Sequence, residues 1–271
     1  MSNSSLVNYK KISPNKTHPR NHSIDTITIH VVDGDLTVEQ IGAIFAKSSR
    51  SASSNYGVDS KGRIGLYVEE GDRSWCSSSR ANDNRAITIE VANDGGAETG
   101  YHVSDAALCA TIKLVADICS RNGITELVWS EDKADRVNHR NGCNMTVHRD
   151  FAAKACPGAY LMANMGYIAE TVNMILHPEG KGNPYQEPTV TVTSKLNAVF
   201  RGCKKYISEG EGVKWVQWCL AYLGFYTMDI DGKCGNGTLK AINAFQTIAG
   251  LKVDGLCGPG TRSALKDRIT K

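Results

Sequence analysis

Thr146–Gly158 reads TVHRDFAAKACPG. His148 and Cys156 are its chemically capable residues, and Lys154 stands just ahead of the cysteine. Three readings are open on this stretch alone: a metal site, a Cys/His nucleophile pair, or a surface loop around a buried cysteine. Two ligands do not make a zinc site. Pro157-Gly158 makes the segment irregular, so its side chains are loop residues carried on a scaffold. What scaffold, and which partners, must come from the rest of the chain.

Upstream, TITIHVV (Thr26–Val32) alternates. Ile27, Ile29 and Val31 face one way, and Thr28, His30 and Val32 the other, which predicts a half-buried strand with a histidine on its second face. RAITIEVAND repeats the pattern, with Ile87, Ile89 and Val91 opposed to Thr88 and Glu90. NYGVDSKGRIGLYV predicts two strands around the turn Asp59–Gly62. Between the strands lie helices. DLTVEQIGAIFAKSS has Thr37 and Gln40 at capping-box spacing and an Ile41/Ile44/Phe45 stripe. SDAALCATIKLVADICSRNG places Leu108, Ile112, Val115 and Cys119 on one side and stops at Gly123. Strands interleaved with helices to about residue 175 predict an α/β domain.

With 271 residues the chain suggests two domains. The composition, 41% hydrophobic and 22% charged, is that of an ordinary globular protein. A formal charge of +3 is too small to imply nucleic acid. No apolar run reaches the roughly 18 residues of a membrane span, so membrane insertion is not expected. The N-terminal stretch lacks the apolar core of a secretory signal, and synthesis and folding in a reducing cytosol are expected. The nine cysteines form no CxxC pair and are expected to be mostly small buried hydrophobes.

Composition shifts at HPEGKGNPYQEPTVTVTS (His177–Ser194), where prolines and glycines mark a linker. The expected division is a catalytic domain over 1–176, a linker over 177–208 and a small domain over 209–271. The last part contains a repeat: DGKCGNGTLKAI (Asp231–Ile242) and DGLCGPGTRSAL (Asp254–Leu265) match at Asp, Gly, Cys, Gly, Gly, Thr and Ala. Each Asp-Gly predicts a tight turn, and Thr238 and Thr261 are candidate N-caps. VKWVQWCLAYLGFY predicts a preceding helix with Val213, Val216, Cys219, Leu220 and Leu223 on one face. Few acid–base groups occur here, which favours binding over catalysis.

From the residues alone, His30, His148 and Cys156 would supply three ligands for a tetrahedral Zn²⁺, with a fourth position left for water. The order TIH, NYGVDSKGRI, AITIEVAN, TVHRDFAAKACPG resembles the zinc-dependent N-acetylmuramoyl-L-alanine amidases (amidase type 2) over roughly residues 20–175. The C-terminal pattern, LGFY…IDG…FQ…GLKVDGLCGPGTRSAL, resembles the type-1 peptidoglycan-binding module. The resemblance implies a mixed central β-sheet flanked by helices, followed by an all-α three-helix domain. It implies His30, His148 and Cys156 as zinc ligands, Glu90 as the catalytic acid–base, and Lys154 as a cation near the scissile carbonyl. Two departures stand out. The position of a catalytic tyrosine in some members falls here on Ser54-Asn55, with Tyr56 shifted, so Tyr56 receives no catalytic role. A common Trp-His is here Trp75-Cys76. Trp75, Asn55 and Tyr56 are candidate substrate-binding residues.

The function implied is that of an endolysin, an amidase acting on the cell wall with bacterial peptidoglycan as its partner, held in the host bacterial cytoplasm until release. The oligomeric state is left open. Two other readings compete: a non-catalytic peptidoglycan receptor of the same fold, and a peptidase using Cys156 with His148. Tyr222–Tyr226 is the expected ligand-binding stretch of the small domain.

Overall fold

A computed structural model describes residues 2–177 and 209–269. All but the first residue of the expected linker therefore lies outside the described residues. The chain divides into two compact units, Met1–Leu176 and His177–Lys271.

The first unit is built on a six-stranded mixed sheet, with strands β1 (Tyr9–Lys10), β3 (Thr26–Val31), β4 (Tyr56–Val58), β5 (Ile64–Leu66), β7 (Ala86–Val91) and β8 (Met145–Val147). Their spatial order is β1-β5-β4-β7-β3-β8. β3 pairs in parallel with both β7 and β8, β4 runs parallel to β7, and β4 and β5 form the antiparallel hairpin read from the sequence. A two-stranded ribbon of β2 (Lys16–Thr17) and β6 (Arg73–Ser74) lies apart from this sheet.

The alternation seen in the sequence becomes two buried faces. Ile27, Ile29, Ile87, Ile89, Val91, Met145 and Val147 form one face and share a core with the long helices α3 (Asp105–Asn122) and α5 (Gly158–Leu176). Burying each such side chain stabilises the fold by roughly 1.5–3 kcal/mol relative to exposure. The predicted stops hold: Gly123 ends α3 in the left-handed region, and helix α1 (Val38–Phe45) starts in a Thr37/Gln40 capping box. α1 packs Ile41 and Phe45 against Tyr67, beside the β1–β5 edge.

The second face is polar yet also buried. Thr28 and Thr146 share a hydrogen bond of 2.7 Å, and Asn82 of helix α2 (Arg80–Arg85) bonds to both hydroxyls at 3.0 Å. Thr88 is bonded by Ser74 and by the Asn55 backbone N–H. A buried hydroxyl without a partner is costly, so these bonds are what allow a polar sheet face to be covered.

Among its described residues the second unit has three helices, α6 (Glu211–Tyr222), α7 (Asn236–Ala249) and α8 (Pro259–Ile269). Val213, Val216, Cys219, Leu220, Ile242, Phe245 and Leu265 are buried. Two glutamines repeat one pattern of contacts. Gln217 Nε2 donates to Asp231 Oδ1, the Lys233 carbonyl and Thr238 Oγ1, while its Oε1 accepts the Gly232 N–H. Gln246 Nε2 donates to Asp254 Oδ1, the Leu256 carbonyl and Thr261 Oγ1, while its Oε1 accepts the Gly255 N–H. The repeat read from the sequence thus extends to a buried amide.

This corrects the reading of Thr238 and Thr261 as N-caps. Gly235 caps α7 without a side-chain bond, and each threonine hydroxyl donates back to its turn, Thr238 to the Lys233 carbonyl and Thr261 to the Leu256 carbonyl. The Tyr222–Tyr226 stretch also divides. Tyr222 is 46% exposed, but Phe225 and Tyr226 are buried, and the Tyr226 hydroxyl donates to the Asp229 carbonyl.

Candidate active site

Register assembles the site. In β3 and β7, His30 stands opposite Glu90, and Thr28 opposite Thr88. In β3 and β8, Thr28 stands opposite Thr146 and Ile29 opposite Val147, so His148 follows at the level of His30. Residues in register on neighbouring strands project to the same face. A row of threonines is therefore followed, one side-chain repeat further on, by Glu90, His30 and His148. This second row lies at the C-terminal ends of three parallel strands, where open α/β sheets commonly bind ligands.

Cys156 is brought to the row by the loop after β8. His148–Asp150 forms one tight helical turn, and Gly158 opens α5. Gly158 has φ +84°, and a Cβ there would lie 2.7 Å from the Gly100 carbonyl oxygen, so only glycine fits. Cys156 Sγ accepts the Val31 N–H at 3.4 Å and lies 3.5 Å from His30 Nδ1. The Arg149 guanidinium donates to the Ala155 carbonyl and so ties the loop back on itself.

Single donor atoms of His30, His148 and Cys156 lie within 4.8 Å of one another. Zn–S and Zn–N bonds of usual length at a tetrahedral angle would separate S from N by about 3.6 Å, close to the 3.5 Å found between Cys156 and His30. His30 is fully buried, and burial, then the neighbouring His148, pulls its pKa down to about 3. His148 is also lowered, by burial first and then by Lys154. Both imidazoles are thus held neutral, the form that ligates metals. These residues fit a metal ion of the zinc type.

Glu90 is half-buried, and its carboxyl is pushed up to about 7 by burial, against the opposing pull of a bond from Cys76. Its Oε2 and the Nε2 of His30 are buried with no hydrogen-bond partner. Cys156 is raised by burial and by the Glu90 carboxylate. A nucleophilic cysteine needs an electropositive setting that favours the thiolate, so these surroundings speak against the peptidase reading.

The remaining sequence candidates fall at different distances from this cluster. Lys154 is exposed on the loop, near enough to act on His148. Trp75 is half-buried and its Nε1 donates to Thr17 Oγ1 at 3.0 Å. Asn55 and Tyr56 are fully buried. Asn55 Nδ2 donates to the Val68 carbonyl and its Oδ1 accepts the Thr88 N–H; the Tyr56 hydroxyl donates to Glu70 Oε1 and accepts the Ser4 N–H. Neither presents a surface to a substrate.

Three features were not read from the sequence. Cys76 donates its thiol to Glu90 Oε1 at 3.8 Å, and Ser78 Oγ lies 3.1 Å from His148 Nε2. Beneath His148, Asp150 accepts the Val147 N–H and pairs with Arg136, both carboxylate and guanidinium buried. That pair fixes the turn that presents His148.

Titratable groups that converge at the C-terminal ends of parallel strands, with buried atoms left unpaired, mark a candidate catalytic site. Residues 20–159, over half of the 271-residue chain, match the N-acetylmuramoyl-L-alanine amidase family, and the chain belongs to that family. Residues 209–265 match a peptidoglycan binding domain. Among solved structures, PlyL is 16% identical with a TM-score of 0.45, covering 61% of this chain and 96% of that one. A mutant endolysin from Bacillus subtilis is 16% identical with a TM-score of 0.45, covering 60% and 97%. The endolysin N-acetylmuramoyl-L-alanine amidase LysCS from Clostridium intestinale URNW is 17% identical with a TM-score of 0.41, covering 60% and 97%. No residue role follows from likeness at this level. No curated protein matches the chain.

Proposed function

We propose that the first unit hydrolyses the amide between the lactyl group of N-acetylmuramic acid and L-alanine in peptidoglycan, with a zinc ion held by His30, His148 and Cys156. The observation that carries this reading is the convergence of those donors beside a carboxyl oxygen that has no partner. When bound, zinc supplies Lewis acidity toward the scissile carbonyl and the attacking water. The two neutral histidines and one thiolate leave the centre with net positive charge. Glu90 takes the proton from the attacking water and returns it to the leaving amine nitrogen. Burial makes this carboxyl a stronger base than an ordinary one, which suits proton transfer near neutral pH. Lys154 contributes positive charge at the rim, favouring the developing oxyanion. Trp75, half-buried beside Cys76, offers an aromatic edge to the substrate chain.

The second unit holds the enzyme on the insoluble polymer, which turns repeated encounters into near-intramolecular ones. Among the described residues no helix is long and apolar enough to cross a membrane. The decisive experiment is digestion of purified peptidoglycan with identification of the new termini. New L-alanine amino groups without new reducing sugars are expected; new reducing sugars would overturn the reading.

A further inference from the structure

The cleft contains more donors than one ion of this kind uses. His30, Cys76 and Glu90 form a second group whose donor atoms lie within 4.8 Å of one another. Cys76 follows β6 and is held firmly: its N–H donates to Asp83 Oδ2 and the Ser77 N–H to Asp83 Oδ1, both at 3.0 Å. Its thiol bond to Glu90 Oε1 is long, 3.8 Å, and correspondingly weak. The remaining Glu90 oxygen and His30 Nε2 are buried without partners. Buried polar atoms are nearly always satisfied, and two on residues of one donor group that also holds a thiol need an explanation. Thiol, imidazole and carboxylate together form a donor set for a thiophilic divalent cation.

We propose that Cys76, Glu90 and His30 form a second metal subsite, which takes a zinc-like cation such as Zn²⁺ or Cd²⁺ and removes Glu90 from proton transfer when filled. Binding releases the thiol proton to solvent. His30 is common to both groups, with Nδ1 beside Cys156 and Nε2 unpartnered. Serving both ions at once requires the ring to give up its own proton. The second ion is therefore the weaker one, and it binds only in metal excess. Excess zinc then acts as an inhibitor. This consequence for turnover rests on the function proposed above, whereas the binding itself does not.

The test uses the full chain, stripped of metal and titrated with Cd²⁺, following bound cadmium by dialysis and the ultraviolet charge-transfer absorption of cadmium–thiolate bonds. Wild type should show two phases, and Cys76→Ser only the tighter one. Glu90→Gln should weaken the second phase and keep the first, a check that does not depend on how Cys76→Ser folds. On peptidoglycan, saturating Zn²⁺ should lower wild-type turnover at least about tenfold relative to one equivalent, as expected when a general base is lost. The same ratio for Cys76→Ser should stay near one. A single phase in wild type, or a second phase that persists in Cys76→Ser, overturns the subsite. A single tight phase leaves the zinc reading standing, while a chain that takes up no cadmium sinks both.

Discussion

The C-terminal ends of β3 and β7 and the paired turns of the three-helix unit both bury polar side chains, and they treat them in opposite ways. In the helical unit the Nε2 of Gln217 has four acceptors within reach and that of Gln246 has three, and the Oε1 of each accepts backbone N–H. At the C-terminal ends of the strands, His30 Nε2 and Glu90 Oε2 have no partner. An unsatisfied buried polar atom costs about 1–3 kcal/mol, so the first arrangement builds a fold and the second is tolerated for chemistry. Unpartnered atoms also occur singly, at Arg73 Nε, Thr171 Oγ1 and Asn243 Oδ1, so what marks the strand ends is that two such atoms belong to residues of one donor group.

The largest expected effect comes from the ligands. Replacing His30 or His148 by Ala, or Cys156 by Ser, should abolish binding of about one zinc per chain and with it wall lysis. Metal analysis showing full occupancy and activity in Cys156→Ser would break the assignment at its root. Glu90→Gln should keep the metal and the fold but lower turnover by ~10²–10⁴-fold, measured as released L-alanine amino termini. A wild-type rate would move proton transfer to another group.

Asp150→Ala sharpens the comparison from within the first unit, because its carboxylate is buried but fully used. Leaving Arg136 buried and unpaired should cost about 3–5 kcal/mol in urea unfolding, and His148 should lose its fixed turn. A stability loss below about 1 kcal/mol would show that the pair is dispensable. The smallest effect is expected at Gln246→Ala, which leaves the Asp254-Gly255 turn unstitched at about 1–3 kcal/mol in thermal unfolding of the second unit. Zinc content and hydrolysis of soluble fragments should not change. A loss of metal in this variant would contradict the division between the two regions.

Much of this was legible in the chain. Alternation in Thr26–Val31 and Ala86–Val91 identified two strands and set His30 and Glu90 apart from the apolar face. The capping box at Thr37 and the stop at Gly123 depend only on neighbours in sequence, and local patterns read them well. Register was not legible. That His30 meets Glu90 depends on which strands pair, and β3 finds its partners about sixty residues downstream in β7 and still further along in β8. Cys76 was visible only as a departure from a family pattern, because its tie to Glu90 is tertiary. Asn55 and Tyr56 are substrate candidates only by resemblance, and a sequence pattern does not show that both are fully buried. Thr238 and Thr261 fit the spacing of caps, but the glutamine that engages each one comes from another helix, which local sequence does not show.

The paired glutamines carry a consequence for how such a unit changes over generations. Gln217 reaches Asp231 across 14 positions and Gln246 reaches Asp254 across 8, yet the aspartate, carbonyl, threonine and glycine contacts recur in both. The extra residues are absorbed in the connection after α6, where Met228 is 57% exposed. That connection is itself anchored, because the Tyr226 hydroxyl accepts from Gln217 and donates to the Asp229 carbonyl. Met228, exposed and outside the bonds of either glutamine, is a position where the surface of the unit can change while both stitches stay in place.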